Sequence, residues 1–415
     1  MTDGQEQAGE ESSELLAVKG VRLAAVESHI RYRNRPDLVV IELAENTEVA
    51  SVFTRNAFCA APVILARQHL ALNKGKVRYL LTNTGNANAG TGEQGLQDAH
   101  ACCAALAELT GVPESAVLPF STGVIGEPLP VDRLVAGLPA ALANLAADNW
   151  ASAAQGIMTT DTRPKARSRR LVLDDSNPEQ EITLTGICKG AGMIRPDMAT
   201  MLCYVATDAR IALADLQALL QEAVSHSFNR ITVDGDTSTN DCCVLAATGA
   251  SGIVVRQSDH TRYARFAAAL NALVLELAKD IIRDAEGAGK FVTVQVLEGR
   301  DSEECLRVAY AIAESPLVKT ALAASDPNWG RILAAIGRAG LAELDVNRVT
   351  LMLGEVVIAE NGMRATGYTE AAGQQLMNED KITITVKLAR GKARETVWTS
   401  DLTEEYVRIN ASYRS

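Results

Sequence analysis

Apolar residues follow two rhythms along the chain. Short dense runs at Val39–Leu43, Arg78–Asn83, Ile182–Ile187, Phe291–Leu297, Arg348–Leu353 and Ile382–Leu388 have the length and the β-branched character of strands. Between them the spacing changes to three and four. Val131, Leu134, Val135, Leu138, Leu142 and Leu145 line one helical face behind Pro130, and Leu213–Val224 and Tyr263–Ile282 repeat that pattern. Strands alternating with helices predict a layered α/β or α+β protein. No internal repeat is visible. Two polar stretches, Asp174–Gln180 with Pro178 and Glu298–Glu304 with Gly299, read as linkers, and a domain boundary is placed at the second, with residues 299–415 beyond it. Residues 1–14 hold almost nothing apolar and predict a solvated acidic tail.

Composition narrows the class. At 415 residues the chain exceeds one ordinary core, so two or three domains are expected. Residues are 47% apolar but only 4% aromatic, so the core must be built from Ala, Val, Leu and Ile, as in helix-on-sheet layers. A net charge of -11, with Lys and Arg concentrated only at Arg163–Arg170 in what reads as a loop, argues against nucleic acid and for a small-molecule partner. There is no basic start followed by an apolar run, and no window of roughly 18 apolar residues, so neither a secretory signal nor a membrane span is expected and the location should be cytosolic. The eight cysteines include adjacent pairs, Cys102-Cys103 and Cys242-Cys243, without C-x-x-C spacing, and predict reduced, buried thiols. The five histidines, His29, His69, His100, His226 and His260, are scattered, which does not indicate a Ser-His-Asp triad. Asp234, Asp236 and Asp241 fit a turn better than a metal site, and no metal is expected.

The most informative stretch is Lys189-Gly-Ala-Gly-Met-Ile-Arg-Pro-Asp-Met-Ala199-Thr200-Met-Leu202, continuing to Asp208. It joins a strand ending near Cys188 to the apolar run Met201–Ala206, itself strand-like. Glycines and a proline permit a sharply shaped connection. A small-residue peptide bond, Ala199-Thr200, at the mouth of a buried strand exposes the threonine hydroxyl to its own preceding carbonyl, as an N-to-O acyl shift requires. Once freed, an α-amine with a pKa of about 7.7 to 8.0 can take the proton from the hydroxyl of the same residue. Lys189 at the other end of the loop would hold that amine deprotonated by like-charge repulsion. Composition alone favours an ordinary glycine turn leading into an ordinary strand.

At these residues the chain resembles the ornithine acetyltransferase family. The pattern Lys-Gly-x-Gly-Met-Ile-x-Pro-x-Met-Ala-Thr-Met-Leu stands intact from Lys189 to Leu202. Further matches are Asn86–Gly92, Ser121–Gly126, Met158–Thr162, Thr232–Thr237, Asn328–Arg331 and Asn410–Ser415. The resemblance implies an αββα sandwich like that of the self-processing aminopeptidases, with a smaller C-terminal α+β domain. It implies self-cleavage between Ala199 and Thr200 into chains 15–199 and 200–415, the latter completing the sandwich over residues 200–298, and an α2β2 assembly. The activity implied is transfer of acetyl from N-acetylornithine to glutamate through an acetyl-Thr200 intermediate, without a cofactor, in arginine biosynthesis. Use of acetyl-CoA as a second donor is left open.

By the same resemblance Thr122 and Gly123 form the oxyanion hole, Lys189 assists Thr200, and Thr159, Glu286, Asn410 and the terminal carboxylate of Ser415 contact substrate. Thr160, Asp161 and Thr162 are free to cap the loop after Thr159. A carboxylate at Glu286 suits a substrate ammonium, although a solvated helix end would look the same in sequence. The family more often has Gly and Thr where Ala285 and Gly289 stand, and Ala in place of Thr84. Two other classes stay open: a self-processing aminopeptidase or amidase, in which water intercepts the acyl-threonine, and an inactive binding protein that keeps the fold.

Overall fold

The structure, a computed structural model, describes residues 15–195 and 201–411. Ala199, Thr200, Ser415 and the acidic tail lie outside the described residues. The first sheet has the order β1-β2-β4-β5, with β1 at Val21–Val26, β2 at Leu38–Leu43, β4 at Tyr79–Asn86 and β5 at Val117–Val124. The second runs β3-β11-β8-β7-β6, with β3 at Glu48–Phe53, β6 at Lys165–Val172, β7 at Glu181–Lys189, β8 at Leu202–Thr207 and β11 at Cys242–Ala247. A small pair joins β9 (Arg210–Ile211) to β12 (Val254–Val255).

Strand periodicity explains why these two sheets face each other. In β2, Val39 and Ile41 point inward to a core shared with Tyr204 and Val244 of the other sheet, while Leu38 and Val40 point outward against Leu106, Leu134 and Leu138. In β8 and β11 the division repeats: Tyr204 and Val244 inward, Cys203, Val205 and Leu245 outward. With both faces buried, such strands read as unbroken apolar runs rather than alternating ones. Tyr204 ties the sheets together, its ring edge-on to Phe120 at 5.3 Å and its hydroxyl 2.8 Å from Thr82 Oγ1.

Helices α1 (Ala61–Leu72), α2 (Gly92–Thr110) and α3 (Val131–Ala143) cover the first sheet, and α5 (Leu213–Ser225) and α6 (His260–Arg283) cover the second. The short α4 (Trp150–Gly156) puts Trp150 and Ala154 into the core between the sheets. The result is the expected αββα order.

A third sheet has the order β10-β18-β13-β17-β14-β15-β16. Its strands are β10 (Ile231–Thr232), β13 (Phe291–Gly299), β14 (Thr350–Leu353), β15 (Val356–Glu360), β16 (Met363–Arg364), β17 (Lys381–Lys387) and β18 (Ala393–Ser400). It packs against α7 (Ser302–Ala313), α8 (Pro316–Ala323), α9 (Trp329–Gly337) and α10 (Glu370–Met377) around its own core. The chain ends in α11 (Glu404–Ala411).

Three local expectations change. Glu298–Glu304 is not a free linker: β13 ends at Gly299, and Asp301 caps α7 by accepting from the Glu304 N–H at 2.8 Å. The long strands of the third sheet therefore begin with β13, ahead of Glu298, and the two-residue strand Ile231–Thr232 joins its edge earlier still. Asp174–Gln180 is the turn joining antiparallel β6 and β7, with Asp174 and Asp175 paired to Arg262 and Arg265 of α6. The basic run at Arg163–Arg170 is mostly strand: β6 is an edge strand whose arginines lie over α6, Arg167 on Asp280 and Arg169 on Glu276. All eight cysteines are free thiols, and all but Cys59 are buried. Among the described residues no helix is long and apolar enough to cross a membrane.

Candidate active site

Adjacent strand ends set the site. β5 lies parallel to β4, and their register becomes irregular at Gly85, Asn86 and Thr122. Gly123 has φ +137°, and a Cβ there would lie 2.2 Å from the carbonyl carbon of Gly85, so only glycine fits this approach of two backbones. β7 ends in Lys189, whose ammonium crosses to the first sheet and donates to Thr122 Oγ1 at 3.0 Å. Because that oxygen accepts from Lys189, the Thr122 O–H is left to point elsewhere. Thr122, Gly123 and Lys189 line one cavity of about 240 Å³ with Thr159, Thr160, Met201, Glu286 and Asn410. Residues separated by almost three hundred positions thus share one wall.

The loop after Lys189 is held on both sides. Gly190 takes φ +152° and donates its N–H to Asp161 Oδ1 at 2.8 Å. The N–H groups of Met193 and Ile194 donate to the Asp234 carboxylate at 2.6 and 2.9 Å, and the Glu286 N–H donates to the Ala191 carbonyl at 2.9 Å. Asp234 is therefore a loop clamp, consistent with the turn expected for this acidic cluster. It also accepts from the Tyr406 hydroxyl at 3.1 Å, which fastens α11 to the same loop.

Beneath the loop lies a buried ion cluster. Lys165 Nζ sits 2.6 Å from Asp161 Oδ1 and 2.5 Å from Asp284 Oδ2. Asp161 also accepts the Thr159 N–H at 3.0 Å, so the pocket-lining threonine is positioned by it. Burial works to raise the Asp161 pKa, but Lys165, Lys189 and the Gly190 N–H outweigh it and hold the group down at about 2. For Lys189 the balance runs the other way: burial lowers its pKa, with Asp161 and Asp241 only partly opposing. Asp241, at the cavity floor, is pushed well up by burial, and its Oδ2 has no hydrogen-bond partner among the described residues.

Glu286 is not a solvated helix end. It is buried, its carboxylate would lie 2.3 Å from a Cβ placed on Gly192, and Oε2 accepts from Asn410 Nδ2 at 2.8 Å. Asn410 reaches it from α11, which is seated by Thr403 donating to the Gly287 carbonyl at 2.6 Å. Ala285 is buried, and the Gly289 N–H binds Asp401 at 2.9 Å, so both departures from the family pattern sit in an ordered loop. The structure brings together every described residue singled out from the sequence: Thr122, Gly123, Thr159, Lys189, Glu286 and Asn410. Sequence reasoning missed the Lys165–Asp284 pair and the role of Asp234. A lysine inside a run of arginines carries no sign that it will be buried.

The model of the ArgJ family matches residues 22–415. The chain belongs to the ArgJ family. The arginine biosynthesis bifunctional protein ArgJ of Pseudomonas syringae pv. tomato is 56% identical over 399 residues, 96% of this chain and 97% of that protein. The protein of the same description from Psychrobacter arcticus is 55% identical over the same shares. Among solved structures, an arginine biosynthesis bifunctional protein argJ from Bacillus halodurans is 40% identical, covering 51% of this chain and 98% of that one, with a TM-score of 0.48. An ornithine acetyltransferase from Mycobacterium tuberculosis, solved with ornithine, is 32% identical over 44% of this chain and 94% of that one, with a TM-score of 0.38. With membership in the ArgJ family, this chain is an acetyltransferase of arginine biosynthesis.

Proposed function

We propose that this ArgJ-family enzyme cleaves itself between Ala199 and Thr200 and then carries acetyl from N-acetylornithine to glutamate on the Thr200 oxygen. The observation that supports this most is one small cavity lined by Lys189, Thr122, Gly123, Glu286 and Asn410, with Met201, bonded to Thr200, lining it too. About 240 Å³ is a small pocket, suited to an amino acid rather than a polymer.

The freed α-amine takes the hydroxyl proton of Thr200, and the oxygen attacks the acetyl carbonyl. The Thr122 hydroxyl and the Gly123 N–H receive the tetrahedral oxyanion, where losing one donor costs roughly 100- to 1,000-fold in turnover. Collapse breaks the C–N bond, the amine returns its proton to the departing ornithine nitrogen, and acetyl stays on Thr200. The amine of glutamate then reverses these steps and leaves as N-acetylglutamate. Glu286, oriented by Asn410, and the Ser415 carboxylate hold the substrate ammonium, and Thr159 contacts substrate at the cavity wall. Acetyl-CoA serves as a second donor to the same threonine, in keeping with the bifunctional description of the relatives. The two cleaved chains assemble as α2β2.

The test combines a denaturing gel, N-terminal sequencing and acetyl transfer on one preparation. Two fragments, one starting at Thr200, together with glutamate-dependent transfer are expected, and Thr200→Ala should stay uncut and inactive. An active enzyme of one uncut chain would remove the mechanism. Release of free acetate whether or not glutamate is present would make the enzyme an amidase.

A further inference from the structure

We propose that His69, His100 and Glu114 form a binding site for one zinc ion, remote from the acetyl-transfer cavity and independent of the reading above. The fold assembles these residues from three elements: the last turn of α1, the middle of α2 and the single helical turn Glu114–Ala116 that leads into β5. Their candidate ligand atoms all lie within 4.8 Å of one another.

The arrangement of these ligand atoms suits a cation. His69 is buried, and its Nδ1 lies 2.8 Å from the Val117 carbonyl oxygen. A carbonyl can only accept, so Nδ1 carries a hydrogen and Nε2 is the nitrogen turned toward Glu114. Nε2 lies 3.7 Å from Glu114 Oε1, and the same carboxylate oxygen lies 2.6 Å from His100 Nδ1. Two imidazole nitrogens thus converge on one carboxylate oxygen, a set of ligand atoms that a single cation between them would hold together. An imidazole held by a backbone carbonyl through one nitrogen and free at the other is the arrangement that fixes a metal-binding histidine in its tautomer.

The spacing fits zinc. With Zn–N and Zn–O bonds of about 2.0 to 2.2 Å, tetrahedral ligand atoms lie roughly 3.3 to 3.5 Å apart. The separation of 3.7 Å between His69 and Glu114 is close to this, and the His100–Glu114 contact must open by less than about 1 Å. His100 and Glu114 are the partly exposed members and have the freedom to do so, leaving a fourth position open to water. Two imidazoles and one carboxylate suit zinc rather than magnesium or calcium, which prefer all-oxygen shells. On binding, His100 takes the tautomer that carries its single hydrogen on Nε2, so the ring stays neutral and the Nδ1 lone pair goes to the metal. The ion would pin α1 and α2 to the entry of β5, whose far end carries Thr122 and Gly123.

The full-length enzyme, stripped with chelator and dialysed at pH 8, is titrated with zinc, and bound metal is counted by mass spectrometry. One zinc per chain and a zinc-dependent rise in melting temperature are expected, with binding at least ten-fold weaker in both His100→Ala and Glu114→Gln. Cys59→Ser, which changes the partly exposed thiol, should bind as the native chain does. Equal zinc binding by native enzyme and His100→Ala, or its loss in Cys59→Ser alone, would overturn the assignment. So would an absence of saturable binding, which would leave the cluster as a hydrogen-bonded surface pair beside a core histidine.

Discussion

Replacing Lys165 by methionine should expose what the ion cluster beside the loop after Lys189 contributes. The ammonium lies 2.6 Å from Asp161 and 2.5 Å from Asp284, and all three side chains are at most 3% exposed. Methionine fills similar space but leaves two carboxylates in a dry interior with one fewer cation. Breaking a buried pair in this way costs about 3 to 5 kcal/mol. For 415 residues the unfolding entropy is about 0.9 kcal/mol per kelvin, so the melting temperature should fall by roughly 3 to 6 K. The pH dependence is the sharper test. In the native chain Asp161 is depressed from 3.8 to about 2, a stabilisation of about 2 kcal/mol that is present above the ordinary carboxylate range and lost as pH falls from about 4 through about 2. In Lys165→Met, Asp161 loses its largest opposing charge while staying buried and should instead titrate above its unfolded value. That contribution is favourable at low pH and lost as pH rises, so the deficit against native enzyme should grow from pH 4 to pH 7. Adding Asp284→Asn, which removes one of the stranded charges, should recover about half. Calorimetric melts of the three proteins at pH 4, 5.5 and 7 measure this. A deficit under 1 K, or one that does not change with pH, would refute the electrostatic account.

Gly192→Ala tests Glu286 as a substrate contact. The new Cβ would lie 2.3 Å from Glu286 Oε2, and the flexible carboxylate can swing away, so stability should fall by less than about 1.5 kcal/mol. Losing a hydrogen bond to a charged group costs about 1.5 to 3 kcal/mol, so kcat/KM for acetyl transfer should drop roughly 10- to 100-fold. An unchanged kcat/KM would take Glu286 out of the substrate site. Thr84→Ala removes a fully buried hydroxyl with no hydrogen-bond partner among the described residues. Relief of about 1 to 3 kcal/mol from the unmet hydroxyl is set against about 1 kcal/mol for the lost methyl, so the change should be neutral to stabilising by denaturant titration. A loss above about 1.5 kcal/mol would show that the hydroxyl is satisfied.

The strands and helices were legible because local periodicity reports burial directly. The run Ile182–Ile187 lies inside β7, and the stripe from Val131 to Leu142 lies on α3, since a face that meets a core must be apolar at the period of its own element. The same information could not assign Lys165–Val172 to a strand, because an edge strand whose arginines lie over a helix has the composition of a loop. The candidate site was legible only through the family resemblance, because taken alone Lys189-Gly-Ala-Gly and Thr122-Gly123 read as ordinary glycine turns. What the sequence by itself determined was therefore the elements, their layered class and the reactive motifs. Only the tertiary structure decided which motifs meet. Asp161, Lys165 and Asp284 become one ion cluster, Asn410 reaches Glu286 across 124 positions, and two scattered histidines converge on Glu114. The physical reason is that pairing between distant charges and ligands depends on strand order and helix packing, which no local spacing encodes.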